Sequence, residues 1–130
     1  MYYGENKGFA ENLPKSALIE ISYSESMKNS QKKVEKFVKK YRLQHRPEIA
    51  VLDLVSEIGE VAKEILEASD YGKKPPKNPK QLKSELGDSL YSLINLANYY
   101  NIDLEQALEM VLEKYQKRLK KGGASSKYED

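Results

Sequence analysis

Two short segments of the chain repeat the same arrangement of acids around a glycine. "SEIGE" places Glu57 and Glu60 three residues apart, and "SELGD" does the same with Glu85 and Asp88. Both segments lie in stretches of helical character, where a glycine costs about 1 kcal/mol relative to alanine. Residues three apart are neighbours on a helix, so each pair can direct its carboxylate oxygens toward one point.

Two such helices lying side by side would bring four carboxylates together. Like charges at this density stay ionised only when cations neutralise them. A ligand set of oxygens, without sulfur or imidazole, favours a hard ion such as Mg²⁺, with Mn²⁺ as a possible substitute. Magnesium held by carboxylates keeps positions open for water and for substrate phosphate oxygens. The spacing therefore predicts a metal site that handles phosphates.

An ordinary solvated helix face is the competing explanation for these acids. Glu85 argues against it, because it lies about 80° from the centre of the apolar face of its helix. The repetition of the pattern in two helices also favours a metal site, and a glycine without a Cβ would let a helix or a ligand approach the acids closely. On the second predicted helix alone the solvated face is favoured, since several acids share an arc of about 80° away from the apolar stripe. These acids are Asp53, Glu57, Glu60, Glu64 and Glu67.

Composition narrows the class of protein. The 130 residues suit a single domain. A net charge of +2 provides no basic surface for duplex DNA, so no nucleic-acid polymer is expected as a partner. The absence of cysteine and the single histidine, His45, exclude thiolate and histidine metal sites and a conventional catalytic triad. No apolar run is long enough to cross a bilayer and no signal peptide is evident, so we expect a cytoplasmic protein without a membrane partner.

Apolar spacing predicts an all-α domain that forms an antiparallel four-helix bundle, because four helices follow one another with short connections. The third helix is apolar around much of its girth, so we expect it to be central. Residues 1–27 are interpreted as an irregular N-terminal arm, residues 28–123 as the domain and residues 124–130 as a flexible tail. The predicted helices begin near Met27, run from Glu48 to Ser69, run from an Asn78 cap and Pro79 to Tyr100, and run from an Asp103 cap to a stop at Gly122 and Gly123.

Two of the predicted helices carry clear apolar stripes that should face the core. The second helix is expected to direct inward the side chains of Val51, Leu54, Val55, Ile58, Val61, Ala62, Ile65 and Leu66. The fourth is expected to bury Leu104, Ala107, Leu108, Val111, Leu112, Tyr115 and Leu119. Within the arm, "ALIEI" alternates as a strand does.

The residues around the four acids resemble the MazG-like all-α nucleoside triphosphate pyrophosphohydrolases over about residues 28–121. "LVSEIGEVAKEI" and "ELGDSLYSLINLA" are similar to the two motif helices of that superfamily, and "EKYQKR" is similar to its Lys-x-x-x-Arg element. The resemblance implies Mg²⁺-dependent hydrolysis of a (d)NTP at the α-phosphorus to (d)NMP and pyrophosphate, in nucleotide-pool sanitation. It also implies a homodimer or a dimer of dimers.

The resemblance assigns roles to particular residues. It implies that Glu57, Glu60, Glu85 and Asp88 are metal ligands, and that one of the first pair, Glu57 in our assignment, positions or deprotonates the attacking water. Lys114 and Arg118 lie one helical turn apart and are expected to bind phosphate. Base-binding residues stay unassigned, although Tyr41 and His45 precede the second helix. The remaining cations nearby, Lys117, Lys120 and Lys121, are interpreted as a solvated last turn favoured by the helix dipole.

Three other classes of protein were compared with this pattern. Phosphoribosyl-ATP pyrophosphohydrolase shares the acids, but it typically carries a Tyr-His pair after the second motif, where this chain has Tyr91 and Ser92. A di-iron carboxylate bundle would need Glu-x-x-His on its helices, which this chain lacks. A non-catalytic helical interaction module with solvated acids remains open, and it would show no Mg²⁺-dependent stabilisation.

Overall fold

The structure is a computed structural model that describes residues 26–122. Within this range the chain forms four helices and no strand, which confirms the all-α prediction. The predicted N-terminal arm, with its "ALIEI" segment, and the predicted tail lie outside the described residues. None of the helices in this range is long and apolar enough to cross a membrane. The helices are α1 (Met27–Tyr41), α2 (Pro47–Ala68), α3 (Leu82–Tyr99) and α4 (Leu104–Lys120).

Side-chain caps determine where α1 and α4 begin. The Ser26 hydroxyl accepts a hydrogen bond of 3.2 Å from the backbone N–H of Asn29. Oδ1 of Asp103 accepts hydrogen bonds from the backbone N–H groups of Glu105 and Gln106, at 2.9 and 3.1 Å. These bonds satisfy N–H groups that have no partner inside the helix. The predicted Asp103 cap is thereby confirmed.

The predicted start of the third helix is wrong. The α-helical ladder of α3 begins at Leu82, after an N-cap at Gln81, and not at the predicted Asn78 cap. The carbonyl of Pro79 accepts a hydrogen bond from the N–H of Leu82 at 3.3 Å, which closes a separate tight turn. Proline fixes the φ angle for such a turn as well as for a helix, so the sequence signal did not distinguish the two.

Helix α3 occupies the centre, as predicted, and packs against α2 along most of its length and against α1. Ala50 near the start of α2 and Asn98 near the end of α3 line the same pocket, so these two helices run antiparallel. The positions of α3 that are buried all fall in its second half or at its middle. They are Ser89, Ser92, Ile94 and Ala97.

A buried amide pair connects α1 to the corner between α3 and α4. Nε2 of Gln31 donates to Oδ1 of Asn98 at 2.9 Å and to the carbonyl of Ile102 at 2.8 Å. In return, Nδ2 of Asn98 donates to the backbone carbonyl of Gln31 at 3.0 Å, and the N–H of Leu104 donates to Oε1 of Gln31 at 2.9 Å. This network fixes the first turn of α4 against α1, because every member is satisfied at a buried site.

The predicted inward face of α2 is wrong for most of its positions. The residues of α2 that lie least exposed recur at alternating steps of four and three, and they include Glu57 and Glu64. Helix α3 therefore packs against a mixed polar face of α2, and the aliphatic face stays in solvent. The predicted core residues that are exposed are Val51, Val55, Ile58, Ala62, Ile65 and Leu66.

Helix α4 stands apart from α2 and α3. It packs against α1, has at most marginal contact with α2 and α3, and buries none of its residues. Its predicted core stripe is wrong for one chain by itself, since no neighbouring helix of the described residues covers it. The stripe residues that are exposed are Leu108, Leu112, Tyr115 and Leu119.

Candidate metal and phosphate site

Three of the four predicted metal ligands converge between α2 and α3. One carboxylate oxygen from each of Glu57, Glu85 and Asp88 lies within 4.8 Å of the others. Glu57 and Glu85 are half-buried in the α2–α3 seam, and Asp88 is exposed at its edge. Because the helices run antiparallel, the middle of α2 faces the first turns of α3, which brings the two motifs together.

The fourth predicted ligand, Glu60, lies beside this cluster rather than within it. Its Oε2 is 3.6 Å from Nζ of Lys63, one turn further along the exposed side of α2. The charge of Glu60 is the main reason why the pKa of Lys63 is raised. Exposed ion pairs of this kind contribute about 0–1 kcal/mol, so the Glu60 carboxylate is easily redirected.

The electrostatics of Glu85 show that the cluster is crowded with negative charge. Its pKa is raised above the ordinary value of 4.5, first by burial and then by Asp88, Glu60, Glu57 and Glu64. Desolvation and like charges both disfavour the ionised carboxyl. Converging carboxylate oxygens that repel one another suit a hard divalent cation, which relieves the repulsion and accepts oxygen ligands.

Two residues at this site were missed by the sequence reasoning. Glu64 is half-buried in the same seam, two helical turns after Glu57, and it adds to the charge around Glu85. That spacing was a signal that could have identified it. Ser89 follows Asp88, and its buried hydroxyl has no hydrogen-bond partner within residues 26–122. No sequence signal distinguished this serine.

The two motif glycines do not bring helices of this chain together. A Cβ added at Gly59 or at Gly87 would meet nothing within 4 Å. The interpretation that these glycines permit close approach therefore finds no partner among the described residues. A helix-weakening residue that faces open space in both motifs points to contact with something outside the chain.

The predicted phosphate-binding cations are not brought to the acids within one chain. Lys114 and Arg118 project from α4, where Nζ of Lys114 lies 5.1 Å and Cζ of Arg118 lies 5.9 Å from the centre of the Tyr115 ring. They line a shallow surface groove made of α4 residues alone. Neither cation forms an ion pair with an acid in the described part of the chain.

A separate pocket of about 160 Å³ lies where the start of α2 meets the end of α3. Ala50 in its wall is two helical turns before Glu57, so the pocket and the acids share one seam, about 10 Å apart. The side-chain amide of Asn95 has no hydrogen-bond partner in the described range, and His45 lies at the rim. The pocket is lined by Glu35, Val38, Lys39, Leu43, Gln44, His45, Ala50, Asn95, Asn98 and Tyr99.

Comparison with known proteins defines the class to which this fold and site belong. Residues 44–122 match the model of the MazG nucleotide pyrophosphohydrolase domain, a range that contains all four acids and both cations. The chain therefore belongs to the MazG nucleotide pyrophosphohydrolase family.

Individual relatives agree with this assignment. The chain is 33% identical over 97 residues to the uncharacterised protein YpjD of Bacillus subtilis, which covers 72% of this chain and 86% of YpjD. It is 38% identical over 65 residues to the nucleoside triphosphate pyrophosphohydrolase/pyrophosphatase MazG of Thermotoga maritima. That match covers 50% of this chain and only 22% of the Thermotoga protein.

Solved structures show the same helical architecture. The crystal structure of YpjD from Bacillus subtilis superposes with a TM-score of 0.61 at 34% identity, covering 72% of this chain and 96% of that one. The crystal structure of the Bacillus-conserved MazG protein, a nucleotide pyrophosphohydrolase, gives a TM-score of 0.60 at 33% identity and covers 70% and 89%.

Proposed function

We propose that the protein is a Mg²⁺-dependent nucleoside triphosphate pyrophosphohydrolase. It cleaves a (d)NTP at the α-phosphorus to yield (d)NMP and pyrophosphate and acts in nucleotide-pool sanitation. The observation that carries the proposal is the convergence of Glu57, Glu85 and Asp88 within a MazG domain. In solvent such acids would separate, and here the α2–α3 seam holds them together.

In the proposed site, Glu57, Glu85 and Asp88 hold the metal, and Glu60 joins them by leaving its exposed pair with Lys63. Mg²⁺, for which Mn²⁺ can substitute, neutralises phosphate charge when bound and lowers the pKa of a bound water. Ser89 next to Asp88 can donate its unpaired hydroxyl proton to a ligand carboxylate after a small rotation, which would fix the orientation of that carboxylate.

Glu57 serves as the general base in this proposal. Its carboxylate accepts a proton from the attacking water, and the water oxygen forms the new bond to the α-phosphorus. The bond between the α-phosphorus and the oxygen that bridges to the β-phosphorus breaks, and its electron pair leaves with pyrophosphate. Half-buried placement supports this role, because it holds the carboxylate in one orientation within the seam.

The pocket at the other end of the seam is the proposed site of the nucleoside. Its volume of about 160 Å³ suits a nucleobase. The Asn95 amide offers one donor and one acceptor, which is what the edge of a base requires. The distance of about 10 Å along α2 between this pocket and Glu57 matches the reach of a nucleotide from base to phosphates.

The proposed enzyme is cytoplasmic and works as a homodimer or a dimer of dimers. Its partners are nucleotides, with no nucleic-acid polymer and no membrane. The exposed aliphatic faces of α2 and α4 support an assembly, since contiguous apolar surface on this scale is characteristic of interfaces.

A nucleotide panel tests the proposal. The protein is incubated with ordinary, deoxy and modified triphosphates and with phosphoribosyl-ATP, and pyrophosphate and orthophosphate are measured separately. We expect Mg²⁺-dependent pyrophosphate from at least one triphosphate. Cleavage of phosphoribosyl-ATP alone would establish the alternative pyrophosphohydrolase. Absence of both products, together with absence of any Mg²⁺-dependent thermal stabilisation, would establish a non-catalytic interaction module.

A further inference from the structure

The α2–α3 pair is arranged with its polar face inside and its aliphatic face outside. Leu52 and Val55 on the outer face of α2 are each 65% exposed, whereas Glu57 is half-buried in the seam. Among residues 26–122 no large side chain is fully buried. Burial of one leucine-sized side chain contributes about 1.5–3 kcal/mol, so a domain of this size that leaves these faces in water forgoes most of its hydrophobic stabilisation.

The glycines of both motifs lie on the same open surface. Gly59 follows Val55 by one turn on the outer face of α2, and an added Cβ there has no neighbour within 4 Å. Gly87 on α3 is equally open. A surface that combines large aliphatic residues with glycine allows a second helix to approach closely.

Helix α4 presents the complementary half of such a contact. Its aliphatic stripe is without cover in the described chain, and Leu119 near its end is 63% exposed. The first turn of α4 is fixed by the Gln31–Asn98 network, while its second half has only marginal contact with α2 and α3. That second half carries Lys114 and Arg118.

Charge gives the direction of the contact. The acids of the α2–α3 seam raise the pKa of Glu85 and have no cation in the cluster, and Lys114 and Arg118 have no acid partner within residues 26–122. The two sets are opposite in sign, and one polyphosphate requires both. One chain holds them on helices that barely touch.

We propose that a second copy of this chain covers the aliphatic face of α2 and α3 with its α4, and that Lys114 and Arg118 of each copy complete the phosphate site of the other. This inference rests on the proposed function, because it assigns the origin of the phosphate-binding cations for that same site. A two-fold axis makes the contact self-complementary, so each dimer contains two complete sites.

Cross-linking tests the geometry without any measurement of activity. The chain has no cysteine, so single thiols can be placed at will. Glu64→Cys and Lys114→Cys variants carrying different tags are co-expressed, and the purified protein is treated with a short bismaleimide. We expect a covalent product that contains both tags. The double variant treated alone should likewise link two chains rather than one chain to itself.

Matched controls make the cross-linking decisive. Lys36→Cys, on the exposed side of α1, should give no product with Glu64→Cys. An internal link within single chains of the double variant, with no product that contains both tags, would overturn the proposal. So would recovery of monomers alone by sedimentation.

Mixed dimers test the same inference through catalysis. Glu57→Gln removes the acids' function from one tagged chain, and Arg118→Ala removes the cation from the other. If the cations act across the interface, each mixed dimer keeps one intact site of two. Purified mixed dimers should then show about half of wild-type activity, well above either variant alone.

The alternative outcome is equally specific. If each chain uses its own cations, both sites of a mixed dimer are defective and its activity equals the mean of the two variants. A wild-type protein that hydrolyses no triphosphate would remove the proposed function, yet the cross-linking result would still decide whether α4 of one copy reaches the acids of the other.

The interface itself is tested by a charge placed on the outer face of α2. Val55→Asp changes an exposed residue, so an isolated chain should tolerate it with a change of about 0.5 kcal/mol or less. Under the proposal it should convert the dimer to monomer in sedimentation and raise KM for the triphosphate. Lys36→Asp is the matched control, and dimers that survive Val55→Asp would contradict the proposal.

Discussion

The α2–α3 pair and α4 carry the two halves of one expected phosphate site, yet the chain treats them differently. In the pair, antiparallel packing brings Glu57, Glu85 and Asp88 to within 4.8 Å. In α4, Lys114 and Arg118 lie on a helix that buries none of its residues. The acids are assembled by the fold of one chain, whereas the cations wait for a contact that this chain does not supply.

The largest expected effect comes from the assembled half. Glu57→Gln should lower kcat by about 100-fold or more, because a general base contributes 10²–10⁴-fold. Pyrophosphate release under saturating substrate measures it. Asp53→Asn, an exposed acid one turn earlier on α2, is the control and should retain wild-type activity. Equal activity in the two variants would remove the distinction between seam acids and solvated acids.

The cation half should respond in KM more than in kcat. Arg118→Ala removes a charge-assisted phosphate contact, which is worth about 1.5–3 kcal/mol, so we expect KM to rise by at least about tenfold. Steady-state kinetics against triphosphate concentration measure the change. Lys120→Ala, on the solvated last turn, should leave KM unchanged. A shared effect of both substitutions would mean that α4 acts only through its general positive charge.

The connection of α4 to the rest of the fold can be weakened separately. Asn98→Ala leaves the Gln31 amide and carbonyl without partners at a buried site, at a cost of about 1–3 kcal/mol in the free energy of unfolding. Urea denaturation measures this loss. Asn95→Ala, whose side chain has no such partners, should keep the stability and raise KM. The reverse pattern would exchange the structural and binding roles of the two asparagines.

The smallest expected effect concerns protons and metal at the acids. Because the pKa of Glu85 is raised, the folded chain binds a proton there more tightly than the unfolded chain does. The resulting stability is fully present below the ordinary value of 4.5 and is lost as the pH rises through the raised value. At neutral pH the metal-free protein therefore carries an unfavourable charge, which Mg²⁺ should relieve.

Thermal unfolding at two pH values checks this expectation. Mg²⁺ should raise Tm at neutral pH and have less effect near pH 4.5, where protons compete for the same oxygens. Glu85→Gln should raise the metal-free Tm at neutral pH and reduce the Mg²⁺ shift. Glu109→Gln on α4 is the control. A Mg²⁺ shift that persists unchanged in Glu85→Gln would place the metal elsewhere.

Particular elements show how far the sequence could be used for prediction. The Asp103 cap was correct because capping depends on residues within one turn. The acids could be paired across two helices because their spacing repeats. The start of α3 was wrong because proline opens tight turns and helices alike. The face that α2 turns to α3 was also wrong, since amphipathicity identifies an aliphatic face without saying which chain covers it.

The sequence by itself determined the four helices, the central place of α3, the family and the residue types of the site. Those features follow from local periodicity, caps and motif spacing. Only the tertiary structure decided that Glu57, Glu85 and Asp88 meet, that Glu60 and Glu64 flank them, and that Lys114 and Arg118 do not reach them. The physical reason is that helix orientation depends on contacts between distant residues, and the aliphatic faces of α2 and α4 find no such contact among the described residues of one chain.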